Sequence, residues 1–294
     1  MTDTTTLTNW IDSELISRVL SSAVDTPFIG PDICSIFDIR TSPTLAYAKP
    51  YMNHLDAAAA HSSTETISAV SMSLGQATIS SAEYTRLLDT ADIAFDSTVV
   101  DLTEAQVRAL VQSLRARLDT SLLNLASTMT NVHGSNSQVM TMNYLNQRVG
   151  SFRANAKWQG KVALVLGVRA SQDLQEDLQT TAASIYASAF GEQTLAALRS
   201  QGWANQGLKG ALPGGILVYE SDRVPVGDTS GRFSFLTALH ETDGGLGLVV
   251  KKEMEVVGQF DIDQNSRKML GRMHIGVGIL DDAKCYAMIT RNSG

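Results

Sequence analysis

Seven consecutive residues, Val162-Ala163-Leu164-Val165-Leu166-Gly167-Val168, carry no polar side chain. The run is far too short to span a bilayer and fits a strand with apolar neighbours on both faces. A strand of that kind needs a packed layer on each side of its sheet, which points to a mixed α and β architecture. The residues that follow agree. Ser171 is placed to cap a helix whose first turns hold Asp173, Glu176 and Asp177, where negative charge suits the helix dipole. The apolar stripe of that helix is Leu174, Leu178, Ala182, Ile185, Tyr186 and Ala189; Gly191 ends it, and a second short helix is predicted from Glu192 to Ser200.

A longer helix is predicted over 101 to about 127. Thr103-Glu104-Ala105-Gln106 has capping-box form, with Thr103 as N-cap and Gln106 at the third helical position. Val107, Leu110, Val111, Leu114, Leu118, Leu122 and Leu125 recur at spacings of three and four, so they share one face. At 1.5 Å per residue the helix is roughly 35 Å long, enough to cross a domain. Its Leu110–Leu114–Leu118 face is expected against a sheet built from residues 247–280.

Between Leu212 and Pro225 a tight turn feeds a short strand and a second turn follows, and from Arg232 onward the chain reads as strands: Arg232 to Leu239, Leu246 to Val250, Glu253 to Asp263, Arg267 to Leu280 and Lys284 to Thr290, with a hairpin connection at Asp263-Gln264-Asn265-Ser266. Gly276 and Gly278 suggest a bend or close packing within their strand. Asn131 to Ser137 reads as a loop.

The first hundred residues are different. The apolar residues Trp10, Ile11, Leu15, Val19 and Leu20 form a short helical pattern that Pro27, Gly30 and Pro31 terminate. From residue 41 to about 98, loose alternation from Ile67 to Ile79 and the tract Asp56-Ala57-Ala58-Ala59-Ala60-His61 supply too little apolar mass for a core. The first segment therefore reads as an arm and the second as a long two-stranded excursion. Such a hairpin is marginal alone and is expected to lie on a neighbour.

Charge and cysteine usage narrow the function. Thirty acidic against 23 basic residues give a net charge of −7 and a pI near 5.2, unlike the basic face of a dedicated nucleic-acid binder. Cys34 and Cys285 are far apart, with no CxxC pair, so zinc-finger and thioredoxin chemistry have no support. A buried thiol at Cys285 and a disulfide are both open, and a reducing compartment favours the thiol. Met1 to Trp10 lacks the basic start and apolar core of a signal peptide, so the chain is expected to be made in a cytoplasm, with no membrane partner.

Motifs that carry chemistry are incomplete. His240-Glu241 opens like a zinc-protease helix, but Gly244 stands where the second histidine belongs. Gly245-Leu246-Gly247 and Gly276-Val277-Gly278 lack the third glycine of a dinucleotide loop, and no GxxxxGK[ST] or GxSxG sequence occurs. His54, His61, His133, His240 and His274 show no ligand spacing. The expectation is no catalytic, cofactor-binding or metal site.

The order of elements, together with two phrases, resembles the major capsid proteins of tailed bacteriophages, the Hong Kong 97-type fold shared with encapsulin nanocompartments. Leu212-Pro213-Gly214-Gly215-Ile216-Leu217-Val218-Tyr219-Glu220-Ser221-Asp222-Arg223-Val224-Pro225 resembles the family's G-x-P-V-x-x-S-D-x-V-P segment, and Gly276-Val277-Gly278-Ile279-Leu280-Asp281-Asp282-Ala283 resembles its G-V-x-V-L-x-P-x-A ending. Asp282 departs from the usual proline, and the scaffold-like amino-terminal extension of some members is not expected here. The resemblance implies an α+β fold divided into an N-terminal arm (1–40), an extended loop (41–98), a peripheral domain with the spine helix (99–155), an axial domain (156–245), long peripheral strands (246–280) and a final axial strand (281–294). It implies a structural subunit, not an enzyme, that self-assembles through pentamers and hexamers into an icosahedral head around double-stranded DNA. Scaffolding, portal and decoration proteins are the expected partners, contact with packaged DNA is expected to be non-specific, and the virion is the expected location. An encapsulin-like shell around a protein cargo is the nearest alternative, and an α+β enzyme with a dispersed site is the alternative from another class.

Overall fold

The structure, a computed structural model, describes residues 28–52, 74–91, 102–180, 208–212, 215–227, 231–262 and 264–292. A 3-10 turn at Gly30–Ile33 leads to β1 (Ser35–Asp38), β2 (Ala46–Met52), β3 (Leu74–Ser80) and β4 (Ala82–Ala91). Helix α1 (Leu102–Leu123) follows and tightens into a 3-10 turn at Asn124–Thr128. Next come β5 (Val132–Gly134), α2 (Met142–Ala156), β6 (Val162–Leu166), α3 (Val168–Thr180), β7 (Leu208–Leu212) and β8 (Ile216–Glu220). The chain closes with β9 (Gly231–Ala238), β10 (Leu246–Asp261), β11 (Ser266–Ile279) and β12 (Cys285–Arg291). The fold is α+β.

Two sheets carry the molecule. One has six strands in the order β5-β12-β9-β6-β8-β7, with β6 and β8 parallel and β6 and β9 antiparallel. The β6 run occupies an interior position, as its composition requires, and period two divides it between two cores. Val162, Leu164 and Leu166 face α2 and α3, through Leu145, Phe152 and Leu174 among others. Ala163 and Val165 face the opposite side, where Leu122, Leu123, Phe235 and Cys285 close the layer.

The second sheet has four strands, β1-β10-β11-β4, and α1 lies across it. Val107, Leu110 and Val111 pack on Val256 and Met269, while Leu114 and Leu118 pack on Leu248, Met273 and Ile275. The expected spine face is therefore the observed one, with Leu114 buried. Because Leu122 and Leu123 reach the six-stranded sheet, the same helix bridges both layers.

Several local expectations are corrected. Helix α1 begins at Leu102, so Thr103 lies inside its first turn. Gln106 does not complete a capping box: its Nε2 donates to Thr90 Oγ1 on β4 at 2.6 Å. Ser171 is no cap either, because α3 starts at Val168. Leu246–Val250 and Glu253–Asp263 are one strand, carried past Lys251 and Lys252 by irregularities in its pairing with β11. Residues 132–134 form a strand parallel to β12 where a loop was expected. Within the 99–155 segment assigned to the spine unit, α2 packs instead on the six-stranded sheet. Within the 41–98 excursion, β4 is a strand of the four-stranded sheet. The predicted helix at Glu192–Ser200, the arm residues Trp10 to Leu20, and His54 and His61 lie outside the described residues.

Candidate assembly surfaces

Strands β2 and β3 form a separate antiparallel ladder from Ala46↔Ser80 to Met52↔Leu74. Its base is seated in an apolar socket. Ile79 is buried with Ile39, Val249 and Leu280. The socket needs glycines, since a Cβ on Gly247 or Gly278 would come within 2.7 or 2.8 Å of Ile79 side-chain atoms. Gly276 is close-packed as well: a Cβ there would lie 2.4 Å from Ser80 O. Across the ladder Tyr47 stacks on Phe37 at 4.2 Å between ring centroids.

Farther along β2, Lys49 Nζ meets Asp243 Oδ1 at 2.8 Å. The other oxygen of Asp243 binds Lys284 Nζ at 2.7 Å, and that ammonium also lies 3.3 Å from Asp281 and over the Trp158 ring. Burial alone raises the Asp243 carboxyl, but hydrogen bonds from Lys284 and Lys49 outweigh it and hold the group below the ordinary carboxylate range.

A second carboxylate lies where the two layers meet. Asp119, on α1, is fully buried. It accepts the Gly30 N–H at 3.0 Å and pairs with Arg223 Nη1, from the turn after β8, at 3.2 Å. Burial pushes its carboxyl up to about 6, against the opposing pull of the Gly30 and Ile29 N–H groups and of Arg223. A third, Asp173 on α3, receives both Nε and Nη2 of Arg291 at 2.8 and 2.7 Å, which fastens the end of β12 to the helix. The helix-dipole reading of Asp173 thus gives way to a bidentate ion pair.

The remaining residues considered for chemistry are dispersed. His133 stacks on Tyr286, His240 Nδ1 accepts the Asp243 N–H at 3.0 Å inside a turn, and His274 lies on β11. Cys34 and Cys285 are free thiols, both pushed up by burial and unsuited to nucleophilic work. Among the described residues no group of three or more His, Cys, Asp or Glu side chains is placed to hold a metal, and no helix there is long and apolar enough to cross a membrane. A shallow cleft of about 480 Å³ beside Thr128, Thr130, Asp281 and Asp282 has its carboxylates turned to protein: Asp281 accepts from Ala283 N and Asp282 from Thr130. Chemistry is concentrated instead in ion pairs that join distant segments. No motif announces these pairs, because Lys49 and Asp243, or Asp119 and Arg223, are more than a hundred residues apart.

The outer surface carries apolar groups of the sort that partners cover. Leu87 on β4 is 56% exposed and Ile262, at the tip of the β10–β11 hairpin, is 82% exposed.

No family model and no curated protein matches the chain. Solved structures do. It is similar to the structure of Mycobacterium phage Che8, at 14% identity over 94% of this chain and 91% of that one, with a TM-score of 0.62. It is similar to the cyanophage Pam1 capsid at 12% identity over 92% and 93%, with a TM-score of 0.67, and to the head of Helicobacter pylori bacteriophage KHP40 at 10% identity over 88% of each, with a TM-score of 0.65. The chain has the tailed-phage capsid fold. The likeness runs through about nine-tenths of this chain and of each of those compared.

Proposed function

We propose that this chain is the major capsid protein of a tailed bacteriophage, a structural subunit with no catalytic, cofactor or metal centre. The observation that carries the reading is the coverage: the capsid likeness takes in almost the whole of each compared subunit, so it concerns an entire shell-building architecture and not a shared module. The subunit assembles through pentamers and hexamers into an icosahedral head enclosing double-stranded DNA. In this reading residues 1–40 are the arm, 41–98 apart from β4 the extended loop, 99–155 apart from α2, together with β4 and 246–280, the peripheral part, and α2 with 156–245 and 281–294 the axial part. Scaffolding, portal and decoration proteins are its further partners, and the virion is its location, after synthesis in the host cytoplasm. The net charge of −7 suits a container that must not grip phosphates through a basic lining.

Rotational symmetry closes such contacts, where an unclosed head-to-tail contact would run on as a filament. The test is to express the chain alone and with a co-expressed scaffold, then measure sedimentation and view the products by negative-stain microscopy. Rings or shells are expected. One slow species near 31.6 kDa, unchanged by concentration or scaffold, would overturn the proposal, and particles loaded with a protein cargo in place of DNA would identify a nanocompartment.

A further inference from the structure

Among the described residues, two contacts of different kind tie the strands of the β2–β3 hairpin to the body. The first is the socket: Ile79 beneath the ladder, with Tyr47 against Phe37 directly opposite it in register. Apolar contact is non-directional, so this point resists withdrawal but tolerates rocking. The second is Lys49, two residues beyond Tyr47 along the same strand and hence about 7 Å farther out. Its ammonium is bound to Asp243 in the turn between β9 and β10. That carboxylate is itself pinned by Lys284, whose side chain is only 8% exposed and is shared with Asp281 and Trp158. A pivot plus one directional bond off the pivot fixes an angle.

We propose that the Lys49–Asp243–Lys284 bridge is a latch that sets the take-off angle of the β2–β3 hairpin, and that through this angle it controls the uniformity of the assembled shell. The second half rests on the capsid reading; the first does not. The latch joins the excursion to the six-stranded sheet because Lys284 immediately precedes β12. The hairpin angle therefore responds to the position of the sheet that the proposed axial contacts hold in place. Around the bridge, Asp281 shares Lys284 on the same side, and His240 accepts the backbone N–H of Asp243 and lies edge-on to Trp158. Lys251 donates instead to the Ile39 and Ser42 carbonyls.

The experiment is hydrogen exchange on the full-length protein, comparing wild type with Asp243→Asn and with Lys49→Gln. The second variant leaves Lys284 paired with Asp243, so it reads the latch without unsettling the sheet. Amides of 46–52 and 74–80 are expected to exchange about ten-fold faster in both variants, with β6 and β9 amides unchanged. Shells of either variant are expected to show a broader diameter distribution by microscopy. Unchanged hairpin exchange in Lys49→Gln would overturn the latch. Faster exchange with shells as uniform as wild type would overturn its control of assembly. Failure of the wild type to form shells would count against the capsid reading and leave the exchange result standing.

Discussion

Strands β6 and β4 illustrate opposite ways of belonging to a sheet. All five residues of β6 are buried, with a core on each face. Strand β4 is twice as long, pairs with β11 over ten residues, and buries none of its side chains fully. The first strand is complete within one chain. The second has one face under α1, through Leu88 and Tyr84, and among the described residues its other face is exposed and its outer edge pairs with no strand. An unpaired edge with apolar exposure is a liability on a monomer and an asset on a subunit. The difference teaches where the chain stops being self-sufficient: its stability is concentrated around β6, and its capacity for contact around β4 and the β2–β3 hairpin.

The contrast can be broken most directly at Leu164. Leu164→Ala removes a fully buried side chain from β6 and is expected to cost about 2–5 kcal/mol in denaturant unfolding. A loss under about 1 kcal/mol would mean that the six-stranded sheet is not the stabilising half. An intermediate effect is expected at the junction between layers. The Asp119 carboxyl is raised to about 6 in the fold from an ordinary value near 3.8, so folding favours its protonated form. Its contribution to stability is fully present below about 3.8 and is lost as pH rises through 6. The melting temperature of the wild type, relative to Asp119→Asn, should therefore rise between pH 7 and pH 5; an unmoved difference would show that Arg223 neutralises the group completely. The smallest effect belongs to Leu87. Leu87→Ala on the open face of β4 should shift monomer stability by no more than about 0.5 kcal/mol, and a larger loss would show that β4 is part of the intrinsic core after all.

The same contrast governs what was legible in the sequence. The β6 run and the α1 stripe were readable because a residue buried by its own chain must be apolar at a fixed period. The order of elements, with the Leu212–Pro225 and Gly276–Ala283 phrases, was enough for the resemblance to the capsid fold. Strand β4, with its Ala-Glu-Tyr-Thr-Arg sequence, has no clear period because the face under α1 is only half-buried and the other face is exposed; its pairing with β11 makes it a strand. Strand β10 looked like two pieces because Lys251 and Lys252 interrupt the alternation at a pairing irregularity. Helix α2 was missed although its signal is present: Thr141 caps it by accepting from Tyr144 N, and Met142, Leu145, Val149, Phe152 and Ala156 line one face. The Lys49–Asp243 and Asp119–Arg223 pairs were beyond reach, since a charge on the page carries no sign of the partner that folding supplies.

The β10–β11 hairpin leaves the six-stranded sheet between β9 and β12, which are themselves neighbours. Its two feet stand side by side, closed by a hydrogen bond from Leu280 N to Gly245 O at 2.8 Å. Sixteen residues of β10 carry it roughly 50 Å outward. Its length cannot change one residue at a time: adding one to each strand would keep β10 paired with β11 but turn every side chain beyond the insertion to the opposite face, carrying Val256 and Met269 away from α1. Only two-residue steps, about 7 Å each, keep the faces in place, so the reach of this limb is quantised by the helix that lies on it.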